Sequence, residues 1–132
     1  MTKRIAWIDD ENAKLTLLVK PLQAAGYSLQ RYRTYGEALE NVEQMRQAEL
    51  FIVDLIIPPG PAEIEGRYLG LSLLRQLRAL GLQQPAVVMS VVLYNTVKPE
   101  LDQISNVIEF INKTSPEPIE ETLLEIVKKT IG

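Results

Sequence analysis

Five short apolar runs alternate with longer stretches whose apolar residues recur at helical spacing, and no other feature constrains the fold as strongly. The runs cover residues 4–8, 27–32, 50–54, 85–90 and 107–111, and 27–32 is the least apolar of them because Ser28, Gln30 and Arg31 are polar. Runs of this length that are apolar at nearly every position are typical of strands buried on both faces of a parallel sheet. The pattern therefore predicts an α/β fold, a (βα)5 doubly wound parallel five-stranded sheet.

The stretches between the runs carry signals for helix starts and ends. The predicted helices cover residues 11–25, 34–47, 68–80, 99–104 and 118–130. Thr34 and Glu37 have the spacing of a capping box, and Gly26 and Gly81 stand where helices commonly end. Pro99 stands in the first turn of the fourth predicted helix, where proline is favoured.

One segment interrupts this regular alternation. Pro58, Pro59, Gly60 and Pro61 lie between the third strand and the third helix. Clusters of proline and glycine predict a loop, so we expect an extended Pro-rich loop over about residues 55–69. The length of 132 residues fits one domain, which we expect to cover residues 1–132.

Composition excludes several kinds of function. The net charge is −3 and the lysines and arginines are scattered, so we expect this chain not to bind nucleic acid. No apolar run approaches the roughly 18 residues of a membrane span, and the N-terminus lacks a signal-peptide pattern, so we expect a cytoplasmic protein. The chain has neither cysteine nor histidine. Disulfides, thiolate nucleophiles and His-dependent catalysis are thereby excluded, and any metal must be a hard cation held by oxygen.

Polar residues stand at the ends of four predicted strands: Asp9 and Asp10, Asp54, Ser90, and Lys113 just past the fifth. The carboxyl ends of parallel strands meet at one edge of the sheet, so these side chains should converge. Two like charges about 4 Å apart repel by about 4 kcal/mol at an effective dielectric constant of 20. Three neighbouring carboxylates would therefore repel one another, and a bound hard cation such as Mg²⁺ would relieve this repulsion. One of the carboxylates could then attack phosphorus as a nucleophile. Mg²⁺, the Lys113 ammonium and the Ser90 hydroxyl would contact the phosphoryl oxygens and neutralise their charge.

Four motifs resemble those of the response-regulator receiver family of two-component signalling systems, the CheY-like domains. They are Ile-Asp-Asp-Glu (8–11), Val-Asp-Leu-x-x-Pro (53–58), Val-Met-Ser (88–90) and Phe-Ile-Asn-Lys (110–113). Each motif alone is common, but the ordered set of four is specific, and it spans essentially the whole chain. The resemblance implies a flavodoxin-like strand order of 2-1-3-4-5.

The resemblance also implies residue roles. Asp54 would accept the phosphoryl group, Lys113 would pair with that group, and Ser90 would move to hydrogen-bond it. Phe110 would change rotamer on activation; the alternative is an ordinary core residue.

The implied Mg²⁺ ligands are Asp9, Asp10, Asp54 and the backbone carbonyl of Ile56. For Asp9 and Asp10 the alternative is a helix cap with an acidic first turn.

The sequence departs from the family pattern at three places near these residues. Thr114 replaces a proline that often follows a cis bond, and a cis bond before a non-proline residue costs about 2.5–4 kcal/mol, so this loop should run differently. Val91 replaces a small residue and should narrow access to the site. The glycine that opens the third helix corresponds to Gly66 or Gly70, so extra residues lie beside the site.

Two further positions tune the lifetime of the phosphoryl group in the family. They are Ile56 and Val92 here, and both side chains are apolar. Neither can orient an attacking water, so the sequence predicts slow self-dephosphorylation.

Three functions compete. The first is a phosphorylation-dependent signalling switch, not an enzyme in the usual sense, whose donor is a sensor histidine kinase or phosphotransfer protein. Its downstream partner would bind the face formed by the fourth helix, fifth strand and fifth helix. The second is a degenerate receiver that binds partners without phosphorylation. The third, an Asp-nucleophile phosphatase of the haloacid dehalogenase type, needs an aspartate where Ile56 stands.

Overall fold

Strands and helices alternate through the computed structural model, which describes residues 2–10 and 13–132 and, within the first helix, side chains from residue 17 onward. The strands are β1 (Arg4–Ile8), β2 (Ser28–Tyr32), β3 (Leu50–Asp54), β4 (Ala86–Ser90) and β5 (Val107–Asn112). The helices are α1 (Ala13–Ala24), α2 (Tyr35–Glu40), α3 (Val42–Met45), α4 (Leu69–Ala79), α5 (Tyr94–Leu101) and α6 (Ile119–Ile131). Glu11 and Asn12, where the first helix was expected to begin, lie outside the described residues, as does Met1.

All five strands belong to one parallel sheet with the order β2-β1-β3-β4-β5. The doubly wound α/β fold and the strand order 2-1-3-4-5 are therefore confirmed. Ile8 pairs with Val53, Asp54 with Met89, and Ser90 with Asn112. This register brings the carboxyl ends of β1, β3, β4 and β5 to within about two residues of each other along the sheet edge.

The inner strands β1, β3 and β4 are buried on both faces, because alternate residues point to opposite sides and helices pack on each side. One face packs against α2 to α5, and its central members are Ala6, Ile8, Phe51, Val53 and Val88. The other face packs against α1 and α6, and its central members are Ile5, Trp7, Leu50, Ile52 and Val87. Both layers share β1, β3 and β4, so these three strands form the centre of the molecule.

The second predicted helix, 34–47, is wrong as one continuous helix. It is divided into α2 and α3 at Asn41, whose φ of −112° and ψ of 25° are not helical. The Asn41 side-chain amide donates a hydrogen bond to the Glu37 carbonyl at 2.8 Å, and asparagine side chains commonly compete with the helical backbone in this way. The start is as expected, since Thr34 Oγ1 accepts from the Glu37 amide at 3.0 Å.

The fourth predicted helix, 99–104, is also wrong in its bounds. The corresponding helix α5 begins at Tyr94, and Pro99 lies inside it instead of in its first turn. A proline inside a helix costs about 3 kcal/mol. Val97 and Leu101, one turn apart, are 0% and 5% exposed, and burying each stabilises the fold by about 1.5–3 kcal/mol. Burial of this apolar face outweighs the cost of the proline.

None of the described helices is both long and apolar enough to cross a lipid bilayer.

Candidate functional site

The polar strand ends converge at the carboxyl edge of the sheet, as the sequence predicts. Asp9 follows β1, Asp54 ends β3, Ser90 ends β4, and Lys113 follows β5. Tyrosines aside, these four are the buried polar and charged residues of the described chain, with exposed fractions of 1%, 5%, 0% and 8%. Buried charges are expensive unless they are paired, so this edge is where the fold concentrates its electrostatic interactions.

Lys113 connects two of the buried carboxylates. Its ammonium donates to Asp9 Oδ2 at 2.7 Å and to Asp54 Oδ2 at 2.8 Å. Both pairs are almost fully shielded from solvent. The predicted proximity of Lys113 to the phosphoacceptor candidate Asp54 is therefore present in the structure.

Asp9, Asp10 and Asp54 form a cluster that could hold a metal ion. Each offers a carboxylate oxygen, and these oxygens all lie within 4.8 Å of one another. Asp10 is exposed, whereas Asp9 and Asp54 are buried. The cluster has more carboxylates than the Lys113 ammonium can compensate, and the ligand atoms are oxygens, so the group suits a hard divalent cation such as Mg²⁺.

The pKa values of Asp54 and Lys113 are both raised above their ordinary values. Burial raises the pKa of Asp54, and its hydrogen bond and charge interaction with Lys113 offset this effect only in part. For Lys113, burial acts to lower the pKa, but the hydrogen bonds to Asp54 and Asp9 outweigh it and the pKa is raised. The ammonium is therefore held in its charged form between the two carboxylates.

The backbone after Asp54 is held close to the site. Asp54 Oδ1 accepts a hydrogen bond from the Ile56 amide at 3.1 Å, and the Leu55 carbonyl accepts one from the Gly70 amide at 3.0 Å. A Cβ on Gly70 would overlap the Asp54 carbonyl oxygen and come within 2.6 Å of Leu55 Cα. Of the two candidate glycines, Gly70 is thus the one at the start of α4, and only glycine fits there.

Ser90 lies beside the carboxylate group without a hydrogen bond to it. Its hydroxyl oxygen accepts from the Val92 amide at 3.2 Å, and its carbonyl accepts from the Lys113 amide at 2.9 Å. The second bond ties the end of β4 to the residue that carries the ammonium. Val91 is 46% exposed at the rim of the site.

Phe110, the predicted switch residue, lies on β5 three residues before Lys113. It is half-buried and packs against the core layer beneath α2 to α5. Its ring contacts the Tyr94 ring at 5.2 Å between centroids, tilted by 53°. This position is compatible with both the switch and the core interpretation.

The turn after Lys113 is built around Asn112. Asn112 Oδ1 accepts from both the amide and the hydroxyl of Thr114, at 2.8 and 2.5 Å. The described residues contain no cis peptide bond.

Sequence reasoning missed Arg31 as part of this site. Its guanidinium Nε donates to the Asp9 carbonyl at 3.3 Å. Arg31 lies near the end of β2 and pairs with Trp7 of β1. The strand order would have placed it beside Asp9, but a single arginine in a short strand gives no local signal.

No protein-family model matches the chain, and no curated protein matches it in sequence. Many solved structures match in fold. A CheY-like receiver domain protein from Methanospirillum hungatei JF-1 is 23% identical with a TM-score of 0.75, over 98% of this chain and 93% of that one. Chemotaxis protein CheY4 from Vibrio cholerae is 19% identical with a TM-score of 0.77, over 99% of this chain and 100% of that one.

A BeF3-activated N-terminal receiver domain of RstA from Klebsiella pneumoniae is similar to the same degree. It is 20% identical with a TM-score of 0.75, and the match covers 97% of each chain. These likenesses, together with the observed strand order, show that the chain has the fold of CheY-like response-regulator receiver domains.

Proposed function

We propose that this chain is a phosphorylation-dependent signalling switch in which Asp54 accepts a phosphoryl group. The observation that carries the proposal is the Asp54 carboxylate, held in a buried group with Lys113 and Asp9 at the carboxyl edge of a receiver fold. In the proposed step, an Asp54 carboxylate oxygen bonds to phosphorus while the donor's P–N bond breaks, and the donor imidazole takes up a proton. The product is an acyl phosphate.

The surrounding residues divide the remaining tasks. Asp9, Asp10, Asp54 and the Ile56 carbonyl would hold Mg²⁺, which when bound neutralises phosphoryl oxygens. Lys113 is an ammonium already within hydrogen-bond distance of Asp54. It would transfer part of its interaction from the Asp54 carboxylate to the incoming phosphoryl group.

Ser90 and Phe110 would change conformation when Asp54 is phosphorylated. Ser90 would exchange its hydrogen bond from Val92 for one to the phosphoryl group, and Phe110 would change rotamer in response. Ser90 lies on β4, between Asp54 on β3 and Phe110 on β5. Phe110 belongs to the surface formed by α5, β5 and α6, which correspond to the fourth helix, fifth strand and fifth helix predicted from sequence.

The donor would be a sensor histidine kinase or a phosphotransfer protein, because the chain contains no histidine that could carry the phosphoryl group itself. The downstream partner would bind the α5–β5–α6 surface, where a groove is lined by Tyr94, Val107, Ile108 and Phe110 among others. The proposed role is that of a cytoplasmic signalling domain rather than of an enzyme with turnover.

A partner-binding module that works without phosphorylation is the second candidate. Thr114, the exposed Val91 beside Ser90 and the long loop after Asp54 favour it because all three depart from the family pattern close to the site. A phosphatase of the haloacid dehalogenase type has less support, because Ile56 provides no acid group where that chemistry needs one.

Intact-mass spectrometry after incubation with Mg²⁺ and acetyl phosphate tests the proposal. We expect one added phosphoryl group on the wild type, none without Mg²⁺, and none on Asp54→Asn. Asp102→Asn, which alters an exposed aspartate on the surface of the molecule, should behave like the wild type. No adduct on the wild type, or an adduct on Asp54→Asn, would refute the assignment; the first result would favour the phosphorylation-independent module.

A further inference from the structure

The Pro-rich loop after Asp54 is docked on the start of α2. The Pro58 carbonyl accepts a hydrogen bond from the Tyr35 amide, and the Pro59 carbonyl accepts one from the Gly36 amide, both at 3.0 Å. Amides in the first turn of a helix have no partner within the helix. The loop carbonyls therefore take the place of water or a capping side chain at these two positions. We call this the loop–α2 contact, formed by residues 34–36 and 58–62.

Two glycines allow the loop and the helix to approach this closely. A Cβ on Gly36 would lie 2.8 Å from Pro61 Cδ and 2.9 Å from the Ala62 nitrogen. Gly60 has a φ of +65°, and a Cβ there would overlap the Thr34 side chain. A larger residue at either glycine must push the loop away from α2, so both positions are specific to this docked arrangement.

The contact begins two residues after Ile56, whose carbonyl is the proposed fourth protein ligand of Mg²⁺. Two residues of extended chain span at most about 7 Å, so the contact is joined to Ile56 by a short connection through Ile57. On the other side of Ile56, Leu55 is fully buried and bonded to Gly70. Ile57 is 5% exposed and packs in the core. Ile56 is thus held from both directions.

Loops of this length without secondary structure are uncommon in compact domains and are usually functional or disordered. The segment between β3 and α4 spans residues 55–68, and the loop–α2 contact holds residues 58–62 of it in place. Without this contact the segment would have more freedom just where a metal-binding carbonyl must be fixed.

We infer that the loop–α2 contact positions the Ile56 carbonyl for Mg²⁺, which makes Gly36, Gly60 and Pro61 positioning residues of the metal site. This inference rests on the proposed function. The long loop thereby has a role: residues 58–62 connect α2 to the acceptor site, so displacing the loop from α2 weakens Mg²⁺ binding.

Isothermal titration calorimetry of the metal-free chain with Mg²⁺ alone tests the inference. Substitutions that disturb the residues orienting a metal ligand typically cost 10- to 100-fold in metal affinity, and we expect a loss of about that size for Gly36→Ala. The control is Gly26→Ala. Gly26 has a positive φ, of +98°, so alanine is strained there, but a Cβ meets nothing within 4 Å. This control should lose stability by strain and yet bind Mg²⁺ with unchanged affinity.

Pro61→Gly provides a second variant that creates no overlap and remains informative if Gly36→Ala fails to fold. It removes the ring that lies against Gly36, so the Tyr35 and Gly36 amides should exchange faster with deuterium while Mg²⁺ affinity falls. Because both substitutions act on one contact, the loss in the double variant should be smaller than the product of the single losses.

The outcomes separate the inference from the function on which it rests. Wild type that binds no Mg²⁺ would overturn both. Wild-type binding with unchanged affinity in folded Gly36→Ala and in Pro61→Gly would overturn the inference alone. An equal loss in Gly26→Ala would also overturn it, because general destabilisation would then explain the effect.

Discussion

Lys113 lies 104 residues from Asp9 and 59 residues from Asp54 in the sequence, yet its ammonium is hydrogen-bonded to both carboxylates. An ion pair this deeply buried gains little net stability over an apolar replacement of all its members. Removing one member is different, because it leaves buried charge uncompensated. Lys113 is therefore the residue on which the charge balance of the site depends.

Lys113→Met should destabilise the chain by about 3–5 kcal/mol, the usual cost of removing one partner from a buried pair. Added Mg²⁺ should recover part of the loss, because the cation takes over the compensation of the Asp9 and Asp54 charges. Urea unfolding followed by Trp7 fluorescence, with and without Mg²⁺, measures both effects.

Lys98→Met is the control for this prediction, since Lys98 forms an exposed pair with Asp102 and exposed pairs contribute little. An unfolding midpoint that stays the same in Lys113→Met, or that shifts equally in Lys98→Met, would contradict the role given to Lys113.

The apolar side chains at Ile56 and Val92 predict a long-lived phosphoryl group once it is formed. Ile56 is 44% exposed, so a polar side chain there could bind and orient water next to Asp54. Positioned acid and base groups contribute about 10²–10⁴-fold to such steps, and we expect Ile56→Asn to shorten the phosphoryl half-life by at least about tenfold. Time-resolved intact mass after removal of the donor measures it. Ile108→Asn, on β5 where the isoleucine is 37% exposed, should leave the half-life unchanged; similar half-lives for all three proteins would contradict the prediction.

At the scale of elements, α5 shows how burial selects the bounds of a helix. Val97 and Leu101 point into the core from one face of α5, and the helix begins at Tyr94, five residues before the proline that seemed to mark its start. Local signals at Thr34 and Gly26 were correct because they act within one turn of the chain. The start of α5 was not predictable in this way, because packing against the sheet decides it. The break at Asn41 has a local cause, the hydrogen bond from its side chain to the Glu37 carbonyl, which the periodic pattern did not reveal.

Pro99→Ala should stabilise the chain. In α5 the amide at position 99 would donate to the Asn95 carbonyl, and proline lacks this donor. Restoring it removes a cost of about 3 kcal/mol, while the more flexible unfolded chain takes back up to about 1 kcal/mol. We expect a net gain of about 2 kcal/mol in the free energy of unfolding, measured by urea denaturation. Equal or lower stability of the variant would show that the proline fits the helix without strain.

At the scale of the whole molecule, the two core layers are coupled through the strands that they share. β1, β3 and β4 contribute side chains to both layers, so neither layer can lose its packing while the other stays intact. Small domains with one continuous sheet usually unfold in a single cooperative step.

We therefore expect one unfolding transition. Trp7 is 1% exposed on the central strand β1, so its fluorescence reports on the layer beneath α1 and α6, whereas far-ultraviolet circular dichroism reports on all helices. The two signals should give the same urea midpoint, and saturating Mg²⁺ should raise both midpoints together. Separate midpoints would mean that the layers unfold independently.

The sequence by itself determined the strands, their order by resemblance, and the convergence of Asp9, Asp54, Ser90 and Lys113 on one edge. These follow from local patterns, since apolar runs form buried strands and parallel strands end at a common edge. Only the tertiary structure decided that one ammonium lies between two carboxylates and that the Pro-rich loop is docked on α2. Both depend on distances between residues far apart in the chain, and such distances are set by how the layers pack, which no local pattern records.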